Sequence, residues 1–197
     1  MKKGLIITLV IIAIVVIGGY SFFKGTYNSM VTMEEGVSGS WAQVENQYQR
    51  RADLIPNLVN TVRGYADFEQ ETLTGVIEAR AKATSVQVNA ENLDPAQIAQ
   101  FQQAQDGLST ALGRLMVVVE RYPDLKANEQ FSQLQVQLEG TENRISVERM
   151  RFNESVQGYN AFIRQFPKNI IANMSGFERK GYFEASQGAD QAPVVEF

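Results

Sequence analysis

The chain has no cysteine and no histidine, one tryptophan and five prolines in 197 residues. Each absence removes a class of function. Without cysteine there is no disulfide framework, no thiol nucleophile and no lipid-modified cysteine anchor, and the redox compartment goes unread. Without histidine the commonest general base and the commonest transition-metal ligand are both gone. Bundle sites that hold two irons with Glu-x-x-His pairs are therefore excluded. A single tryptophan supplies no aromatic subsite series for a sugar, so the carboxylates do not read as glycosidase machinery. Phosphate-binding loops, dinucleotide fingerprints and nucleophile elbows are absent as well. The sequence yields no catalytic residue, no cofactor and no metal ligand set, and the reading is of a protein that is not an enzyme.

Long apolar runs are scarce too, and the one present is the most informative feature. Gly4 to Phe23 is almost wholly apolar and, coiled as a helix, matches the hydrocarbon thickness of a bilayer. Gly19-Tyr20-Ser21 makes a poor cleavage site, and Phe22, Phe23 and Lys24 read as an interfacial belt with a snorkelling lysine. The expectation is a retained anchor, not a cleaved signal peptide. Lys2 and Lys3 stand before the run, against Lys24 alone behind it, with Arg50 the next base. That bias predicts a single-pass protein of the cell (inner) membrane, its N-terminus cytoplasmic and its soluble part on the periplasmic or extracellular side.

Positive charge is sparse beyond the anchor. Three of the 18 bases lie before residue 25 and none of the 22 acids does, so the remainder is net negative. An acidic domain is poorly matched to a phosphate backbone, and nucleic acid is not an expected partner.

What remains is helical nearly throughout. Trp41, Val44 and Tyr48 carry helix one out of the anchor, with Gly36 and Gly39 as possible bends. Pro56 suits the first turn of a new helix, and Leu58, Val62, Tyr65, Leu73, Val76 and Ile77 form the stripe of helix two. The polar stretch from Asn89 to Asp94 reads as a loop, and Asp94-Pro95 as a helix start. Phe101, Leu108, Leu112, Leu115, Val119 and Tyr122 mark helix three, ended by Pro123. Phe131, Leu138, Ile145, Phe152, Tyr159 and Phe166 then recur every seventh residue in helix four, with Thr141, Glu148 and Ser155 as polar interruptions of its second seam position. Pro167 closes this helix, and Ile170, Ile171 and Phe177 are expected to fold back over a bundle end. The fold class predicted is all-α: one transmembrane helix followed by an elongated antiparallel bundle of about four helices. The divisions are an anchor over 1–24, a bundle over 25–183 and a flexible tail over 184–197.

Several stretches together carry a resemblance. They are Trp41-Ala42-Gln43-Val44, Arg50-Arg51-Ala52-Asp53-Leu54-Ile55-Pro56-Asn57-Leu58-Val59, Val62-Arg63-Gly64-Tyr65-Ala66 and Glu78-Ala79-Arg80. With them go Tyr122-Pro123-Asp124-Leu125-Lys126-Ala127-Asn128, Thr141-Glu142-Asn143-Arg144-Ile145, Asn153 and Tyr159-Asn160. From the anchor to about Phe183 the chain resembles the LemA family of bacterial membrane proteins. The resemblance implies an N-terminal anchor and an elongated four-helix bundle, and no established enzymatic activity. It also implies that some relatives are associated with membrane remodelling, including magnetosome formation, and some with membrane metallopeptidases.

Three polar groups are candidate interaction or structural-motif residues. Arg50, Arg51, Asp53 and Asn57 read as a charged corner between helices one and two. Tyr122, Asp124, Lys126 and Asn128 read as the turn before helix four, with Asn128 as its cap. Glu142, Asn143 and Glu148 lie on helix four, where Glu148 either pairs inside the bundle with an arginine of helix two such as Arg63 or Arg80, or belongs to a flank that faces water. The leading functional expectation is a non-enzymatic scaffold or adaptor of the bacterial envelope, in membrane organisation or with a membrane peptidase. Its partners would be the lipid bilayer through residues 4–23, envelope protein and further copies of itself. The alternative is a small-molecule-binding or sensory module.

Overall fold

A computed structural model describes residues 2–64 and 69–184. Among them the chain is all-helical, in the order α1 (Lys2–Arg63), α2 (Gln70–Ser85), α3 (Pro95–Val119), α4 (Pro123–Lys126), α5 (Glu129–Arg164) and α6 (Lys168–Ser175). α1 and α5 form the main antiparallel pair, and α2 and α3 form a hairpin against them.

The dominant element is α1, whose 62 residues span roughly 90 Å at 1.5 Å per residue. Its N-terminal third packs against nothing: the apolar window has mean hydropathy 2.7 and is unburied. Burial begins at Thr26 and Met30 and then follows Val37, Trp41, Val44 and Tyr48 at helical spacing. Gly36 and Gly39 do not interrupt the helix; a Cβ at either would meet only open space.

The expected boundary at Pro56 is overturned. α1 runs through Pro56 to Arg63, so Leu58 and Val62 belong to it, and α2 starts only at Gln70. A proline inside a helix removes the hydrogen bond to the carbonyl four residues back, here Ala52. The guanidinium Nε of Arg80, from α2, donates to that Ala52 carbonyl at 2.8 Å. The orphaned acceptor is thus satisfied by a neighbouring helix, and α1 continues. The charged stretch Arg50–Asn57 is mid-helix and not a corner. Tyr65 of the expected stripe lies outside the described residues.

Other boundaries follow local chemistry. Asp94 caps α3, its carboxylate accepting from the amides of Ala96 and Gln97, with Pro95 in the first turn. Asn128 caps α5 by accepting from the Phe131 amide at 3.0 Å. Phe131, Leu138, Ile145, Phe152 and Tyr159 are all buried along α5, but the expected sixth position fails. α5 ends at Arg164, and Phe166 is 81% exposed. Tyr122 likewise falls beyond α3, at the start of α4.

The core is two apolar clusters laid end to end. One gathers Met30 to Tyr48 of α1 with Phe101 and the Ile145–Ile163 stretch of α5. The other gathers Ile55 to Val62 with α2, the far half of α3, and Phe131 and Leu138. After α6 an extended strap, residues 177–184, returns along the first cluster. The expected flexible tail lies outside the described residues from residue 185 onward.

Candidate functional site: a buried arginine node and its groove

Where the two clusters meet, α1 places Arg51 on its core face with 1% exposure. A guanidinium in that position must spend its donors locally. Its Nη1 donates to Ser109 Oγ at 2.8 Å and to Glu142 Oε1 at 2.5 Å. Its Nη2 donates to Gln105 Oε1 at 2.6 Å and to the Gln105 carbonyl at 3.3 Å. Gln105 Nε2 in turn donates to the Ala83 carbonyl. One polar layer therefore ties α1, α2, α3 and α5 together. Thr141 lies buried beside it, its hydroxyl donating to the Gln137 carbonyl. The guanidinium also sits 5.1 Å from the Tyr48 ring centroid. Burial pushes the Tyr48 phenol above its ordinary pKa, against the lowering pull of Arg149 and Arg51.

Glu142 is the outward edge of this layer, its side chain 43% exposed. With Asn143, Ser109, Leu112, Met116 and Leu138 it lines a groove of about 490 Å³ between α3 and α5. Nothing in this set is a nucleophile or a base poised for chemistry. The node can set helix register and present one carboxylate and one amide beside apolar side chains.

The remaining candidates are dispersed. Arg50 and Asp53 are exposed, the Asp53 carboxylate accepting from Gln49 Nε2 at 2.8 Å. Asn57 lines a separate groove with Thr61, Gln130 and Gln133. Lys126 pairs with Glu120 at 2.6 Å, Asp124 is exposed in the first turn of α4, and Tyr122 packs on the second cluster. The expected pairing of Glu148 with Arg63 or Arg80 is overturned. Glu148 pairs with Arg151 on its own helix at 2.7 Å. Arg80 is engaged at Ala52 and Arg63 is exposed in the last turn of α1. A buried arginine bridging helices does exist, but it is Arg51, on the partner carboxylate Glu142.

The strap from Phe177 to Glu184 is the feature the sequence reading missed. Three side-chain amides hold its backbone as a neighbouring strand would. Asn160 bonds both the amide and the carbonyl of Lys180, Asn153 does the same for Phe183, and Gln102 for Glu184. Phe183 stacks on Trp41 at 5.8 Å, edged by Phe152. Gly181 crosses so close to Pro95 that a Cβ would lie 2.7 Å from its Cα, and its amide donates to the Leu93 carbonyl. Buried Lys180 pairs with Glu34 at 2.7 Å and donates to the Glu91 carbonyl. Tyr159 donates to the same Glu34 carboxylate, and burial together with that carboxylate pushes its phenol well up. The repeated doublets Phe152-Asn153 and Tyr159-Asn160, seven residues apart, were the available signal. Nothing comparable marks Lys180.

Comparison with known proteins finds relatives over most of the chain. Magnetosome protein MamQ of Magnetospirillum gryphiswaldense is 28% identical over 188 residues, covering 86% of this chain and 68% of its own. Magnetosome protein MamQ 2 of Paramagnetospirillum magneticum is 27% identical over the same shares. Protein LemA of Metamycoplasma hominis is 22% identical over 168 residues, covering 85% of this chain and 73% of its own. The LemA family model matches residues 40–197, which takes in α1 from Ser40 onward, the arginine node and the strap. The chain belongs to the LemA family.

Proposed function

We propose that this protein is a membrane-tethered, non-enzymatic scaffold or adaptor of the bacterial envelope. The observation that carries the reading is α1. The same unbroken helix is an exposed apolar span at one end and a core member of a packed bundle at the other. A protein built this way holds a surface at a fixed stand-off from a bilayer. The flanking lysines support a cytoplasmic N-terminus in the cell membrane, with the bundle on the outer side. The relatives named as magnetosome proteins support membrane organisation as the setting, and none of the relatives carries the name of an enzyme. A membrane peptidase remains one client of the kind proposed.

The groove beside Glu142 and Asn143 is the docking surface in this reading. Leu112, Met116 and Leu138 give the groove an apolar floor beside polar Gln135, Glu142 and Asn143, a mixed lining that suits a protein segment. Photo-crosslinking residues placed at Met116 and Asn143 of the full-length protein in cells test it. A foreign envelope protein trapped reproducibly from both positions, and lost with Glu139→Lys on the exposed groove wall, is the expected result. If only further copies of this chain are trapped, the groove is a self-association surface and the adaptor reading falls.

A further inference from the structure

The bundle starts close to the apolar run. Residues 3–25 of α1 are all exposed, and Thr26 is the first buried position, three residues after Phe23. The contacts of Arg51 with Glu142, Trp41 with Phe152 and Glu34 with Tyr159 step along α1 and α5 in one antiparallel register. Carried five residues further, that register brings Arg164, the end of α5, level with Ser29. This is about 9 Å along the helix axis from Phe23. Beyond Arg164 come Phe166 and α6, and the ring of Phe177 meets that of Tyr27 at 5.5 Å. The polar layer on each side of a bilayer's hydrocarbon is about 5–8 Å deep. If Gly4–Phe23 spans that hydrocarbon, α6 lies at headgroup depth.

The composition of α6 fits that place. Ile171 and Ala172 turn inward and join the first core cluster. On the outside, Ile170 and Met174 stand one turn apart on α6 and are 51% and 75% exposed, and Phe166, in the turn before the helix, is 81% exposed. Basic side chains are found at the same end of the molecule. Arg164 and Arg179 are exposed, and both line a groove of about 430 Å³ with Asn169 and Asn173, where Glu178 is the one acid. Lys168 lies over the Phe162 ring at 3.7 Å, and Lys24 follows the apolar run. Exposed apolar side chains on a short helix, with cations at the same end of the molecule, fit an element lying in a membrane interface.

We propose that α6 is a second membrane contact: its exposed Ile170 and Met174, with Phe166 in the turn before it, enter the interface of the bilayer that α1 spans, with Arg164, Lys168 and Arg179 among anionic headgroups. The inference rests on the anchor reading. It makes the bundle base a two-point mount that fixes the tilt and rotation of α1.

Because the chain has no cysteine, single-cysteine variants can be made without other changes. Full-length Ile170→Cys, Met174→Cys, Ile14→Cys and Val117→Cys would carry a nitroxide in vesicles of phosphatidylcholine and phosphatidylglycerol. All four sites are exposed, so the labels leave the core intact. The expected result is a several-fold higher ratio of oxygen to water-soluble nickel-chelate collisions at 170 and 174 than at 117, approaching that at 14. Water-like values at 170 and 174 with a lipid-like value at 14 overturn the inference and leave the anchor standing. Water-like values at all four sites overturn the anchor reading, and the inference with it.

Discussion

Arg50 and Arg51 are neighbours of the same type with opposite fates. The helical step of 100° turns Arg50 to solvent and Arg51 into the core, at the joint between the two apolar clusters. Arg51→Ala would strip Gln105 and Ser109 of their donor and leave a void. A loss of about 2–4 kcal/mol is expected from these two terms, whereas Arg50→Ala should change stability by less than about 0.5 kcal/mol. Urea denaturation of the detergent-solubilised protein reads the difference, and equal effects would show that Arg51 is no keystone. The sequence displayed the arginine pair but not the partner of either. A charged residue at a core position is legible only once helix phase is known. Trp41, Val44 and Tyr48 set the right phase, but a helix boundary placed at Pro56 turns Arg50–Asn57 into a corner and stops that phase short of Arg51.

At the element scale, that misassignment has a definite physical cause. Proline breaks a helix when the freed carbonyl stays unsatisfied, and the rescue comes from Arg80, some two dozen residues further along the chain. No local rule anticipates such a long-range donor. A double-mutant cycle isolates it. Arg80→Ala should cost about 1–3 kcal/mol by leaving the Ala52 carbonyl unbonded. In a Pro56→Ala background the restored amide bonds that carbonyl itself, so the same substitution should cost at least about 1 kcal/mol less. Additive effects in urea denaturation would refute the coupling. The contrast with α3 and α5 is instructive. Their starts at Asp94-Pro95 and Asn128 depend on caps within three residues, and both were readable in the sequence. The heptad of α5 was readable for the same reason, down to Tyr159. It fails at Phe166 because the chain turns there into α6, and the side chain faces outward. The strap stayed hidden because residues 177–184 have no period at all. Their order comes from Asn153, Asn160 and Gln102 on other elements.

For the whole molecule, Gly4–Phe23 was legible as a candidate membrane span because it meets the length that bilayer thickness sets, and the all-α class because its stripes keep a helical period. The groove beside Glu142 was not, since it depends on how α3 and α5 are spaced. What the assembled structure adds is mechanical continuity. No loop separates the apolar run from the bundle, so anchor and bundle share one helix and the bundle inherits its direction. Buried positions from Thr26 to Val62 clamp that helix along most of its length beyond the run. In the function proposed above, the protein is a rigid strut standing on its bilayer. Neutron reflectometry of the full-length protein in a supported bilayer tests it most directly. From Phe23 to Arg63, α1 should carry the protein layer to about 60 Å above the hydrocarbon. A layer no thicker than about 25 Å, the width of two packed helices lying flat, would contradict the account.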